Sequence, residues 1–232
     1  MKKKSDYNYF ENVNTRFGDN DVFGHLNNVI YCIGSDNVLQ NPVNAINSNL
    51  FILSKILKSN KFKSFIYISS TRIYSNSNKT DELSNIKVDV NSKDYFFNTL
   101  KIAAENLCLS QNDKNIKVIR LSNLYGLNFS KQVYLLPTLI RNSIRKKKID
   151  IFLNKKSKKN YLNVDDAIDI ILKIIHNSKH RIYNVASDKR ISLEFIAKTL
   201  KKFTKCHIIY SNQNKRYDEP VISINRIKKE FN

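Results

Sequence analysis

The residues able to do chemistry fall into four short segments. Phe65-Ile66-Tyr67-Ile68-Ser69-Ser70-Thr71-Arg72-Ile73-Tyr74 is an apolar run ending in paired hydroxyls. Lys101-Ile102-Ala103-Ala104-Glu105 sets a cation and a carboxylate four residues apart. Arg120-Leu121-Ser122-Asn123-Leu124-Tyr125-Gly126 carries an amide before a glycine. Tyr161-Leu162-Asn163-Val164-Asp165-Asp166-Ala167 follows Lys159. Taken singly, each has an ordinary structural use: a strand-end hydroxyl, a solvated helix lysine, a turn asparagine, one more cation in a basic loop. Other chemistries have less to work with. The four histidines have no metal spacing; His176 and His180 are four apart but lack a third ligand. Cys32, Cys108 and Cys206 are odd in number and far apart, which argues against a disulfide framework or a CxxC site. Cys32 and Cys108 read as core residues. The only glycines are Gly18, Gly24, Gly34 and Gly126, and no G-x-G-x-x-G or Walker loop can be written from them.

These segments need elements to hold them. Val29-Ile30-Tyr31-Cys32-Ile33, closed by Gly34, reads as a buried strand. Helical spacing follows over 44–59, through Ile46, Leu50, Leu53, Ile56 and Leu57. Phe65–Ser69 is a second buried strand. A helix is predicted over 94–110, with Phe97, Leu100, Ala104 and Leu107 on one face, and Ile116–Leu121 is a third strand. Strand, helix, strand, helix, strand predicts a parallel sheet with crossover helices. Beyond Gly126 the pattern gives a helix over 137–147, a strand over 149–153, and a helix over 165–176 led by Asp165 and Asp166. A short strand at 182–185 and a helix capped by Ser192 come next, and 207–210 and 224–231 close the chain.

The 232 residues carry 40 Lys+Arg against 20 Asp+Glu, a net charge of +20. Such a charge attracts nucleic acid, acidic lipid or phosphorylated metabolites. The competing reading is drift from an A/T-rich coding sequence, since Asn, Ile and Lys are abundant throughout. Local peaks stand at 145–148 and 155–159. No RNA or DNA motif accompanies them, so no nucleic-acid partner is expected. No apolar run reaches the ~18 residues of a membrane span, and the basic start has no apolar stretch behind it, so a cytoplasmic protein is expected.

Taken in order, the four segments and Ile182-Tyr183-Asn184-Val185-Ala186 resemble the NAD-dependent epimerase/dehydratase family, the extended short-chain dehydrogenase/reductases that act on nucleotide sugars. The resemblance runs from about Val29 to the C-terminus. It implies that Ser70 bonds the reacting oxygen, and that Lys101, supported by Glu105, holds the nicotinamide ribose. It places cofactor contacts at Ile33, Gly34, Ser69 and Lys101, with NAD or NADP as cofactor. It sets Asn123 and Lys159 beside the substrate diphosphate, where lysine keeps a charge but loses the bidentate fork of arginine. In such a site a sugar hydroxyl loses a proton while its carbon loses hydride, and a nearby cation lowers the pKa of the base.

Two departures matter. The position of the family's proton-transferring Tyr, four before Lys101, is Phe97. Tyr95 is two residues earlier, ~200° around a helix and on another face. Losing a positioned acid/base costs ~10²–10⁴-fold. The strand at Val29 also matches the family's fourth strand, and the 28 residues before it lack the glycine-rich pyrophosphate turn. Gly18-Asp19 could stand for an adenine contact. The strand at Val29 would then lie at a sheet edge. Residues 1–20, with Tyr7, Tyr9 and Phe10, a second copy, or a partner would cover it.

The expectation is an α/β fold: a truncated Rossmann-like parallel sheet with crossover helices over 1–127, and a small C-terminal α/β substrate domain over 128–232, interleaved with the first. The implied function is NAD(P)-dependent epimerase/dehydratase-like work on a nucleotide sugar for cell-surface polysaccharide, with impaired or altered catalysis. The alternative is a non-catalytic relative that binds a nucleotide sugar or a partner protein. A homodimer or other partner over the sheet edge is expected; a metal and a membrane span are not.

Overall fold

The computed structural model describes residues 26–33, 38–59, 62–92, 95–126 and 134–231. Four parallel strands form the main sheet: β1 (Leu26–Tyr31), β2 (Phe62–Ser70), β3 (Ile116–Leu121) and β7 (Ile182–Val185), in the order β1-β2-β3-β7. Alternation along the strands explains the layers. Phe65, Tyr67, Ile116 and Val118 face Leu53 and Leu57 of α2 (Ile52–Ser59) and Ala104 and Cys108 of α3 (Tyr95–Leu109). Ile66, Ile119, Tyr183 and Val185 face Ala167 and Ile174 of α5 (Val164–Asn177) and Ile227 of α7 (Asn225–Phe231). Each such fully buried Ile or Phe contributes about 1.5–3 kcal/mol.

The rest of the chain forms a smaller α/β part. β4 (Asn123–Tyr125) pairs with β6 (Lys158–Asn163) in parallel, and β6 pairs with β8 (Arg190–Ser192) antiparallel. β5 (Lys148–Ile151) pairs with β9 (His207–Tyr210). Leu139 of α4 (Leu135–Arg145) and Ile196 of α6 (Leu193–Thr204) close over Ile149 and Ile151. Gly126 joins the two parts: a Cβ there would meet Val164 Cγ1 at 2.5 Å, so only glycine lets the chain pass this close.

Several expectations are corrected. The helix predicted over 44–59 begins as α1 (Pro42–Ile46) and passes through a π-helical stretch, Asn47–Phe51, before α2. The Ser48 carbonyl within that stretch accepts the Tyr31 hydroxyl, tying the π turn to β1. β1 is not buried on both faces: Tyr31 is buried, but Ile30 is 45% exposed and Cys32 is exposed. The helices of one face cover Tyr31, while Ile30 on the opposite face is left open. β1 ends the strand order among the described residues; Gly34, Gly18-Asp19 and the tyrosines expected to patch that edge lie outside them. The strand predicted over 149–153 is Lys148–Ile151, while β4, β6 and β8 were not predicted. β6 has no alternation to read: after two lysines, Asn160, Tyr161 and Leu162 are buried in succession.

Candidate functional site

The parallel strands end together, and a crevice at their carboxyl ends is where open α/β sheets bind ligands. A cavity of about 880 Å³ opens there. Its lining brings together Ser69 and Ser70 from β2, Phe97 and Lys101 from α3, and Asn123 and Lys159 from β4 and β6. Five separate segments, those of Cys32, Ser70, Lys101, Asn123 and Lys159, thus meet at one place. Ile33 packs against the core beside β1, and its neighbour Cys32 lines the cavity instead.

On the sheet side, the polar groups are held firmly. Ser70 caps a 3-10 turn, Thr71–Tyr74, by accepting from the Arg72 N–H at 3.2 Å. Lys101 Nζ donates to the Ile68 carbonyl at 3.1 Å and lies 5.0 Å from the Tyr67 ring centre. Glu105 does not support Lys101 as expected. It receives the Ser69 hydroxyl and a bidentate pair from Arg120, the closest contact at 2.7 Å. The helix faces burial with Asn98, Lys101 and Glu105 among its inward residues, so apolar spacing alone misplaced its inner face. Arg120 Nη1 donates to the Tyr74 hydroxyl at 2.6 Å, and that hydroxyl donates to Asn184 Oδ1 at 3.0 Å. Burial alone would lower the Arg120 pKa; the hydrogen bonds and charge of Glu105 hold it above its ordinary range.

Phe97 places a ring in the cavity wall with no proton to give. The Arg72 guanidinium lies 4.7 Å and Lys101 Nζ 5.9 Å from its centre. Tyr95, expected on another face, is buried and also lines the cavity. The 75–92 segment covers it, and its hydroxyl donates to the Lys87 carbonyl.

On the opposite side, Asn123 and Lys159 converge on a residue the sequence reading passed over. The Glu219 carboxylate accepts from Lys159 Nζ at 3.1 Å, from the Asn160 N–H at 2.8 Å and from Asn123 Nδ2 at 3.0 Å. Tyr217 stacks below Lys159 at 4.7 Å. Nothing in the polar stretch 211–220 marks these residues, because contact with β6 across about 60 positions creates their role.

Residues 24–186 match the profile of the NAD dependent epimerase/dehydratase family. The chain belongs to this family. A dTDP-D-glucose 4,6-dehydratase of Dictyostelium discoideum is 28% identical over 71% of this chain. The chain spans 41% of that relative's length. Among solved structures, RMD from Pseudomonas aeruginosa complexed with NADPH superposes with a TM-score of 0.74 at 19% identity, covering 88% of this chain and 74% of that one. dTDP-glucose 4,6-dehydratase from Bacillus anthracis in complex with NAD gives 0.71 at 16%, covering 89% and 66%. These likenesses show the fold.

The dinucleotide of the family's name fits part of what is present. Lys101 and the Ser70 hydroxyl offer donors at the strand ends, suited to a ribose and nicotinamide, while the Ser69 hydroxyl is already given to Glu105. Gly126 is the one glycine among the described residues, and Val164 closes it off. No described glycine can therefore form a pyrophosphate turn.

Proposed function

We propose that this member of the family binds a nucleotide sugar in the cavity between its two parts, with proton transfer impaired at Phe97. One observation carries the reading: segments far apart in the chain bring Ser70, Lys101, Asn123 and Lys159 to one cavity. When bound, NAD or NADP supplies the hydride acceptor. The chain's own contribution is positional. Ser69 and Lys101 would hold the ribose side, Ser70 the reacting oxygen, and Asn123 and Lys159 the diphosphate. Phe97 puts no phenol at the position four residues before Lys101. That favours the second reading, a binding protein without turnover. The proposal extends to a cytoplasmic role in supplying cell-surface polysaccharide, and to a homodimer or partner over β1; the exposure of Ile30 supports the latter.

Calorimetric titration with NAD⁺, NADP⁺ and a UDP-sugar tests the reading. Micromolar binding of sugar nucleotide and cofactor is expected for an enzyme; sugar-nucleotide binding alone supports the binding protein. Neither binding to folded protein would sink both. Phe97→Tyr is expected to raise turnover ~10²-fold or more if cofactor binds. Loss of an existing wild-type turnover in Tyr95→Phe would instead make Tyr95 the acid/base.

A further inference from the structure

We infer that the far pole of the smaller part is a docking surface for an anionic lipid bilayer. Two parallel helix–strand units build this pole. α4 runs into β5, α6 runs into β9, and the strands pair from Lys148↔His207. Both helix-to-strand turns therefore fall at the same end, and contacts between the turns hold them together. Lys147 Nζ donates to the Thr204 carbonyl at 3.1 Å, and the His207 N–H donates to the Lys147 carbonyl at 2.8 Å. Each turn uses a lysine at positive φ, Lys147 at 49° and Lys205 at 58°, the two non-glycine residues so placed among the described ones.

The charge at this end is one-sided. Arg145, Lys146, Lys147 and Lys148 from one unit, and Lys201, Lys202 and Lys205 from the other, are all exposed. The segments 138–149 and 195–207 contain no Asp or Glu. Among the described residues no salt bridge involves any of these seven cations. The negative ends of two helices would account for one or two cations each, not for seven. Between the cations stand two large apolar side chains left largely open to water: Phe203 is 78% exposed, with Lys202 Nζ 5.9 Å from its ring centre, and Ile144 is 57% exposed. Ile144 lies one turn before Lys147, and Phe203 adjoins Thr204, so both belong to this pole.

The combination selects the partner. A polyanion alone would account for the lysines. Stacked bases would engage Phe203, but an isoleucine has no π-face to offer. A bilayer with acidic headgroups satisfies both, since the lysines sit in the negative surface potential while Phe203 and Ile144 enter the acyl boundary. No described helix is long and apolar enough to cross a membrane, so the contact is peripheral.

Flotation of the full chain with vesicles tests this. Vesicles of phosphatidylcholine alone are compared with an equal mixture of phosphatidylcholine and phosphatidylglycerol. Binding is expected to the mixture and not to the neutral vesicles. Ile144→Ser with Phe203→Ser should weaken it about tenfold. Lys146→Glu with Lys201→Glu and Lys202→Glu should weaken it about a hundredfold. Should the triple variant lose its fold by circular dichroism, Lys201→Glu alone replaces it, with a loss of at least severalfold. Equal binding to both vesicles, or to neither, overturns the inference. So does an undiminished vesicle affinity in the Ile144→Ser, Phe203→Ser variant with tight binding of a single-stranded polynucleotide, which would make the pole a nucleic-acid surface.

Discussion

The two walls of the cavity solve the same problem, holding paired charges beside it, in different ways. On the sheet wall, Arg120 and Glu105 are sealed in at 5% and 4% side-chain exposure, and Tyr74, Asn184 and Ser69 take up their remaining bonds. On the opposite wall, Lys159 and Glu219 meet at the rim, at 17% and 12% exposure. A buried pair is costly to break, because removing one partner strands the other away from water. A partly buried pair facing an open cavity costs less to break, because water can reach the partner left behind and the Asn160 N–H and Asn123 still hold Glu219. The sheet wall is thus a fixed frame, and on the rim wall any anion would meet donors already engaged by the Glu219 carboxylate.

The sharpest way to break this comparison is a pair of stability measurements. Arg120→Met is expected to lower unfolding stability by about 3–5 kcal/mol in urea titrations. Lys159→Met should lower it by less, about 1–2 kcal/mol. Equal losses would mean that the two walls are held alike. A second test concerns the rim's readiness for an anion. Glu219→Gln removes the charge that competes for Lys159, Asn123 and the Asn160 N–H, so calorimetric affinity for inorganic pyrophosphate should rise about tenfold, or about 1.4 kcal/mol. Unchanged affinity would place the anion away from these donors.

Alkaline pH gives a smaller effect. Burial pushes the Tyr183 phenol up to about 12. An unfolded tyrosine ionises near 10. The folded value is the higher, so this contribution to stability is complete below pH 10 and is lost as pH rises toward 12. Tyr183→Phe, in the sheet, should remove about one proton from the slope of stability against pH over that window. Burial also raises the Tyr210 phenol in β9, a partly exposed ring where Tyr183 is fully buried, so Tyr210→Phe should change the slope in the same direction and by less. A larger change at Tyr210 would show the smaller part to be the tighter of the two.

Short apolar runs at 29–33, 65–69 and 116–121, separated by helical spacing, were enough to specify a parallel sheet, because strands between two helical layers are apolar nearly throughout. That one face of the first run is exposed, and that 182–185 is the fourth strand, was decided by packing. The ordered motifs likewise marked Ser70, Lys101, Asn123 and Lys159, which do share one cavity. Phe97 was legible too, since the absence of a hydroxyl needs no coordinates. What the chain alone did not show was partnership. Glu105 four residues from Lys101 looked like its helper, yet it bonds Arg120 across the sheet. The engagement of Asn123 and Lys159 by Glu219 depends on contacts spanning 96 and 60 positions. Cys32 read as core and lines the cavity, because coverage at the end of a strand depends on what packs over it. Hydrophobic periodicity records which side chains avoid water; it carries no record of which donor meets which acceptor once the chain has closed on itself.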